Sequence, residues 1–291
     1  MFRIVFFLFC FLTSTLSLAQ KADSLKWYKS HSKIYYAPPI TTGSIAAAGL
    51  LANYLGIRML NNRPSLDINE IRKLDINSVN SFDRHVFDHA VEDREDSHNF
   101  TDWGLYVSVV LPFTLFFDDE IRKDWIEVSL MYLETQMIAV NIYNYLGPGI
   151  FRRYRPIVYM HGHPDVPDAE LTDNNNERSF FSGHTSNTAC GTFFTAKVLT
   201  DYHPEWSTGA KIGVYVAAFI PPALVGYYRT RAYKHFYTDV ITGCAVGALT
   251  GVFVPQIHKK LRSKRAADGS GTAFMPIMQP QMMGLYVRKT F

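Results

Sequence analysis

The sequence predicts a helical protein embedded in a membrane, because five long apolar segments follow one another after residue 100 and a basic cluster follows the last of them. A spanning helix needs about 20 apolar residues, whereas runs of about 10–14 more often form buried core helices. The uncharged cores fall between these limits, so a soluble all-helical periplasmic protein is the alternative. The segments are Trp103–Phe117, Val128–Phe151, His184–Leu199, Ile212–Tyr228 and Val240–Ile257.

The bulk composition bounds the size of the protein and excludes one class of partner. The chain of 291 residues is long enough for one large domain or two small ones. Its net charge is only +3, so nothing indicates nucleic acid as a partner, and the oligomeric state is left open. Cys190 and Cys244 lie in apolar segments, where two buried free thiols are expected rather than a disulfide.

The N-terminal residues have the pattern of a secretory leader. Arg3 precedes the strongly apolar stretch Ile4–Leu12, and Ser17 and Ala19 then provide the small side chains that signal peptidase requires. Residues 1–19 are therefore predicted to be a signal peptide that exports the chain. An uncleaved anchor is the alternative.

The charge pattern predicts an orientation in the membrane. The basic cluster after Ile257 is expected to stay in the cytoplasm if Val240–Ile257 spans. Counting back through five spans places the start of Trp103 outside, which matches an exported N-terminus. The uncharged run 34–57 would add a sixth crossing and break this parity. Either this run is therefore expected to pack at the membrane interface without crossing completely, or the chain is not polytopic.

The most informative stretch is residues 227–240, which read Tyr-Tyr-Arg-Thr-Arg-Ala-Tyr-Lys-His-Phe-Tyr-Thr-Asp-Val. His235 and Asp239 are four residues apart, which on a helix brings the carboxylate close enough to hold one imidazole nitrogen. The other nitrogen is then a nucleophile, and Arg229 on the incoming loop can grip an oxyanion. Taken alone, this stretch is equally compatible with a solvated helix start.

Two upstream stretches favour a site for a phosphate-sized anion. Ser182-Gly183-His184 begins a predicted helix and offers backbone N–H groups, a hydroxyl and a second imidazole. Arg152, Arg153 and Arg155 follow Gly147-Pro148-Gly149 at the end of an apolar segment. Together with the third stretch, they provide several cations and two histidines for one anion.

With these three motifs, the sequence resembles the type 2 phosphatidic acid phosphatase superfamily, which also contains vanadium haloperoxidases and bacterial class A acid phosphatases. The resemblance implies an all-α helical bundle with its site at one end and about five or six apolar helices. It implies a catalytic core over residues 100–260, between an N-terminal helical region, 20–99, and a basic, flexible C-terminal tail, 261–291. The residues that match in order and spacing are Arg155-Pro156, Ser182-Gly183-His184, Arg229, His235 and Asp239.

Three positions depart from the family pattern. Pro148 stands where the family has a lysine, Phe181 where it has a proline, and Tyr228 where it has a serine. The absent lysine removes one phosphate-binding cation. We hypothesise that Arg152 or Arg153 replaces its charge from the same loop.

The resemblance implies a metal-independent phosphatase that needs no cofactor and works through a phosphohistidine. His235 would attack phosphorus, Asp239 would orient His235, and His184 would protonate the leaving oxygen. The phosphate oxygens would be held by Arg155, Arg229, Ser182 and the backbone N–H of Gly183.

The implied substrate is a lipid phosphate of the phosphatidate, polyprenyl diphosphate or lipid A type, hydrolysed at an inner membrane by a site that faces the periplasm. The alternatives are a soluble periplasmic acid phosphatase, a haloperoxidase, and a non-catalytic membrane protein with a degenerate site. His85 and His89 have the spacing of a metal pair, but a solvated helix is the favoured interpretation, because the resembled family needs no metal.

Overall fold

The computed structural model describes residues 34–267, 271–279 and 282–290, with side chains over residues 34–265. The predicted signal peptide, residues 1–19, lies outside the described residues. Within them, six helices of at least 17 residues form an all-helical bundle, as predicted. They are α1 (Pro39–Asn61), α2 (Arg94–Val110), α3 (Trp125–Asn141), α4 (Gly183–Tyr202), α5 (Thr208–Arg231) and α6 (Tyr237–Ala267).

The six helices alternate in direction along the bundle. Asn61, at the end of α1, lies near Arg178 in the loop before α4, whereas Tyr36, before α1, exchanges hydrogen bonds with His258 near the end of α6. Helix α1 also runs parallel to α3, and Gly56 near the end of α1 packs against Asn144 just after the end of α3. The bundle therefore has two ends: the loop end, where α1, α3 and α5 finish, and the opposite end, where α2, α4 and α6 finish.

Helix α4 lies at the centre of the bundle and is held close to α6 by glycines. Ser182 caps α4, accepting the backbone N–H of Thr185 on its hydroxyl. A Cβ on Gly247 would lie only 2.0 Å from the carbonyl oxygen of Ser186, so the two backbones approach more closely than any side chain allows. The same holds one turn on either side, at Gly243 and Gly251.

Four helical segments are long and apolar enough to cross a membrane, as in a membrane protein. Their outward surfaces expose large apolar side chains, including Leu51, Trp103, Phe219 and Phe253. The other two long helices, α3 and α4, are the most buried of the bundle and carry the polar side chains that face its interior. The four segments are Pro39–Asn61, Val91–Phe117, Thr208–Arg231 and Tyr237–Arg265.

Helix α1 contains most of the run 34–57 and is long and apolar enough to cross a membrane, so the expectation that this run does not cross completely stays a prediction. Pro39–Asn61 is 23 residues long and extends from one end of the bundle to the other. Ile34 and the basic cluster after Ile257 lie at the same end of the bundle. If all six long helices cross the membrane, an exported N-terminus and a cytoplasmic basic cluster exclude each other.

The loop end is closed by short helical turns, and an apolar cluster beneath them includes Ile157, Leu171 and Tyr233. The basic cluster predicted to open a flexible tail instead forms the last turns of α6, and strands β1 (Gly271–Gln279) and β2 (Met282–Thr290) then pair as an antiparallel hairpin. The short turns at the loop end are Ile68–Ile71, Ile76–Ser78, Ser81–Arg84, His85–Asp88, Val91–Asp93, Ile142–Leu146, Pro156–Met160, Asp168–Leu171 and Asn174–Glu177. Two further turns, Leu111–Phe117 and Asp119–Arg122, connect α2 to α3 at the opposite end.

Candidate active site

Backbone hydrogen bonds join the three sequence motifs at the loop end. The N–H of Ser179 donates to the carbonyl of Arg153 at 3.0 Å, which ties the second motif to the first. The N–H of Ile157 donates to the carbonyl of Tyr233 at 3.1 Å, and that of Ser182 to the carbonyl of Asp239 at 3.0 Å. The motifs thus converge through main-chain bonds whose geometry is independent of side-chain rotamers.

His235 lies fully buried in the loop between α5 and α6, and its tautomer is fixed by a carbonyl. Its Nδ1 lies 2.6 Å from the carbonyl oxygen of Ser179, so Nδ1 carries the proton and Nε2 has a free lone pair. Burial and the nearby charges of Arg229 and Arg155 hold the pKa of His235 well below its usual range. A neutral imidazole with one free nitrogen is the form that acts as a nucleophile.

The predicted contact between Asp239 and His235 is absent, because α6 begins at Tyr237 and His235 is therefore not on the helix. The Asp239 carboxylate instead accepts the Ser179 hydroxyl at 2.6 Å and the Phe236 backbone N–H at 2.9 Å. The second bond is that of a helix capping box. Asp239 thus reaches the imidazole through Ser179, whose carbonyl holds Nδ1.

The side chain of Arg153 binds the carboxylate of Asp239 and does not line an open pocket. Its guanidinium contacts Asp239 at 2.5 Å and Asp83 at 2.7 Å, and it lies 4.3 Å from the centre of the Phe236 ring. These two carboxylates raise the pKa of Arg153 against the opposing effect of burial. The side chain is therefore already neutralised by protein groups.

His184, in the first turn of α4, is paired with a residue that the sequence analysis did not single out. Its Nε2 lies 2.8 Å from the carboxylate of Asp102 on α2. The charge of His184 also contributes to lowering the pKa of His235, so the two imidazoles are close enough to interact electrostatically. A carboxylate behind an imidazole orients the ring and stabilises its protonated form.

Two guanidiniums face this pocket without carboxylates of their own within hydrogen-bonding distance. Arg229 is 2 % exposed and donates to His98 at 3.0 Å and to Thr101 at 3.3 Å, while its Nε has no partner among the described residues. The Nε of Arg155 is likewise buried and unpartnered there, and burial lowers the pKa of Arg155. Unsatisfied cationic donors at a helix N-terminus form a site for an anion.

The comparisons with known proteins agree with this geometry. The family model of the PAP2 superfamily matches residues 129–263, a stretch that contains all three motifs. The chain carries a PAP2 domain. The resemblance read from the motifs is thereby confirmed.

Two curated relatives of the PAP2 domain are phosphatases. Lipid A 4'-phosphatase of Porphyromonas gingivalis is 28% identical over 167 residues, which cover 55% of this chain and 63% of that protein. Phosphatidylglycerophosphatase B of Bacillus subtilis is 36% identical over 87 residues, which cover 30% of this chain and 42% of that protein. The chain therefore spans less than two thirds of the length of either relative.

Two solved structures also resemble the chain. A transmembrane PAP2-type phosphatidylglycerolphosphate phosphatase from Bacillus subtilis has a TM-score of 0.43 at 22% identity and covers 76% of this chain and 96% of its own. LpxE from Aquifex aeolicus has a TM-score of 0.38 at 25% identity, covering 67% of this chain and 98% of its own.

The three residues at which this PAP2 domain departs from the family pattern make structural contacts. The carbonyl of Pro148 accepts a hydrogen bond from Arg63, after α1. Phe181 is buried against Tyr143, and Tyr228 packs against Phe100 with tilted rings and 4.2 Å between ring centres. None of the three provides a charge to the PAP2 site.

The two candidate replacements for the family lysine lie outside the anion pocket. Arg152 has a side chain that is 63% exposed and lies 3.7 Å from Glu177. Arg153, as described above, is bound to Asp83 and Asp239. The hypothesis that one of them binds phosphate stays a prediction without a supporting contact.

Among the described residues, His85 and His89 do not form the metal pair that their spacing suggests. His85 pairs with Asp88 at the surface, and His89 contacts the hydroxyl of Tyr237, so the two do not converge. Among the described residues, ligand atoms of Glu92, His163 and Asp165 lie within 4.8 Å of one another, in an exposed to half-buried position. No described motif residue belongs to that group.

Proposed function

We propose that this chain is a membrane phosphatase that hydrolyses a phosphate ester of a lipid through a phosphohistidine on His235. The observation that carries the proposal is a buried, neutral imidazole beside Arg155 and Arg229, whose buried donors lack partners among the described residues. Phosphoryl transfer needs a nucleophile in line with the leaving oxygen and fixed positive charge around the equatorial oxygens. His235 is the candidate nucleophile, and Arg155 and Arg229 are the candidate source of the positive charge.

In the first half of the reaction, Nε2 of His235 attacks phosphorus while the bond from phosphorus to the leaving oxygen breaks. His184 gives a proton to that oxygen, and Asp102 stabilises the imidazolium that acts as the acid. The carbonyl of Ser179 keeps His235 in the reactive tautomer, and the hydroxyl of Ser179 donates to Asp239.

In the second half, a water molecule attacks the phosphohistidine. His184 now accepts the proton of that water, the bond from nitrogen to phosphorus breaks, and inorganic phosphate leaves. Arg155, Arg229 and the N-terminus of α4, with the N–H of Gly183, hold the oxygens throughout. Ser182 contributes mainly by capping the start of α4, since its hydroxyl is shared with Thr185.

The surroundings of the pocket favour a lipid as the substrate. Trp103 and Tyr106, which follow Asp102 on α2, and Tyr227, which precedes Arg229 on α5, expose aromatic surface. A phosphate head group can enter between Arg155 and Arg229 while its acyl or prenyl tail stays in the bilayer. The candidate substrates are a phosphatidate-type lipid, a polyprenyl diphosphate and a lipid A phosphate.

A substrate panel tests this proposal against the alternatives. The purified protein, after carbonate extraction of membranes, is assayed with each lipid phosphate and with small soluble phosphate esters. We expect it to stay in the membrane fraction and to prefer lipids. A protein that washes off and prefers small esters is a soluble acid phosphatase, and one without turnover on any ester is a non-catalytic relative.

A chelator and vanadate test the chemistry. The proposed mechanism has no step at a metal, so a chelator is expected to leave turnover unchanged, and vanadate is expected to inhibit by adopting the geometry of the transition state. Strong loss with the chelator contradicts the mechanism and draws attention to Glu92, His163 and Asp165.

We further propose that the site faces the periplasm. The basic cluster that ends α6 lies at the opposite end from the motifs, and such clusters favour the cytoplasmic side. A reporter fused after residue 267 and active only in the cytoplasm supports this orientation. Activity of a periplasm-specific reporter at the same position reverses it.

A further inference from the structure

We infer that Lys234 is the third phosphate-binding cation of the site and takes the role that the family assigns to the lysine absent at position 148. This inference rests on the proposed function. Lys234 directly precedes His235, and its backbone N–H donates to the carbonyl of Arg229 at 3.2 Å, so its main chain is fixed beside both groups.

The side chain of Lys234 is half-buried and has no hydrogen-bond or ion-pair partner among the described residues. The acidic groups that interact electrostatically with Lys234 are Glu170 and Asp173, and both have other partners. Glu170 pairs with Arg94, and Asp173 accepts N–H groups of Asn175. An ammonium removed from water without a counter-charge is unfavourable unless a ligand supplies one.

The groups facing Lys234 from the surrounding elements are mostly cationic or neutral. Arg155 comes from the first motif, Arg229 from α5, and His98 from α2. Burial, then Arg155 and Arg229, lower the pKa of Lys234 to about 8. The three cations are thus close enough to repel one another, and a phosphate dianion is the ligand class that offsets this repulsion.

The position also explains how the family pattern is broken without loss of charge. Tyr233 has a positive φ of 53°, a conformation that side-chain-bearing residues adopt rarely, and its buried ring donates to the carbonyl of His89. This turn fixes the main chain of the two residues that follow it, Lys234 and the nucleophile His235.

The experiment compares Lys234→Gln and Lys234→Arg with Lys73→Gln, a control at an exposed lysine that pairs with Glu70. Inhibition by inorganic phosphate and the KM for the best lipid substrate are measured between about pH 7.5 and 9.5, where free phosphate is a dianion. Wild-type inhibition is expected to weaken as pH rises through the pKa of Lys234, about 8. Lys234→Gln is expected to bind phosphate about 10- to 100-fold more weakly at pH 7.5 and to lose this pH dependence.

Lys234→Arg is expected to retain binding and to show no weakening over this pH range, because a guanidinium keeps its proton. Thermal unfolding of each variant in detergent shows whether it is folded. If folded Lys234→Gln binds phosphate as tightly as wild type, with the same pH dependence, the inference fails. The proposed function is judged separately, because it stands or falls on turnover by wild type and its loss in His235→Ala.

Discussion

The two ends of α4 handle charge in opposite ways. At its start, His184 lies with His235, Arg155 and Arg229, where the buried Nε atoms of both arginines lack partners among the described residues. Near its end, Asp201 accepts Lys197 at 2.8 Å and Lys259 at 2.7 Å. The hydroxyl of Tyr35 also donates to Asp201, at 2.8 Å, and His258 pairs nearby with Glu134.

The difference separates charge that holds the fold from charge that is reserved for a ligand. A buried ion pair that has its hydrogen bonds satisfied loses stability when one partner is removed, because the other is left uncompensated. A cluster of like charges without counter-ions costs stability in the free protein and is useful only when an anion binds. Substitutions at the start of α4 are therefore expected to affect turnover, and those near its end to affect folding.

The largest expected effect is that of His235→Ala. Removing the nucleophile is expected to lower kcat on the best lipid phosphate at least about 1,000-fold while leaving the unfolding temperature close to that of wild type. The measurement is phosphate release together with a thermal melt in detergent. Residual turnover within about tenfold of wild type would show that another group attacks phosphorus.

Asp201→Asn tests the opposite end. We expect the free energy of unfolding to fall by about 3–5 kcal/mol, because Lys197 and Lys259 both lose their counter-charge. The fraction that remains folded is expected to keep its kcat. Asp119→Asn, at an exposed pair with Arg122, is the matched control and is expected to change stability by less than about 1 kcal/mol. Equal effects of the two variants contradict the distinction between the ends.

Asp102→Asn is expected to give a smaller loss that depends on the substrate. The amide still contacts His184 but no longer stabilises its protonated form, so kcat on a lipid phosphate falls about 10- to 1,000-fold. An ester with a good leaving group needs less acid assistance and is expected to lose less. A loss that is the same for both esters would mean that Asp102 supports the fold rather than the acid.

The motif residues could be predicted from sequence because their spacing is local. Arg229 and His235 follow from one motif, and Ser182 to His184 from another. Asp102 was missed because it pairs with His184 only after α2 packs beside α4, and no pattern in one sequence encodes that contact. It lies at the boundary between a polar region and an apolar segment, which was the available signal.

The pairing of Asp239 with His235 was mispredicted for a different reason. The four-residue spacing implies contact only if both residues are helical, and the helix begins at Tyr237. The capping role of Asp239 and the carbonyl of Ser179 then replace the expected bond. A role for Lys234 could not be predicted from the sequence either, because the sequence does not show whether a lysine beside a histidine is buried or exposed to solvent.

The smallest expected effect concerns the close approach of α6 to α4 at Gly247. Gly247→Ala places a Cβ 2.0 Å from the carbonyl oxygen of Ser186, whereas Gly213→Ala on α5 meets nothing within 4 Å. We expect the first to lower the free energy of unfolding by about 1–3 kcal/mol, because the backbones of α4 and α6 must move apart. The second is expected to be neutral or slightly stabilising, since alanine is the better helix former.

Because Ser182 caps α4 and also donates its N–H to the carbonyl of Asp239, separating the helices should reduce kcat in Gly247→Ala as well. Thermal melts and turnover of both variants decide the matter, and two alanines with the same melting temperature would show that α4 and α6 do not depend on this close approach.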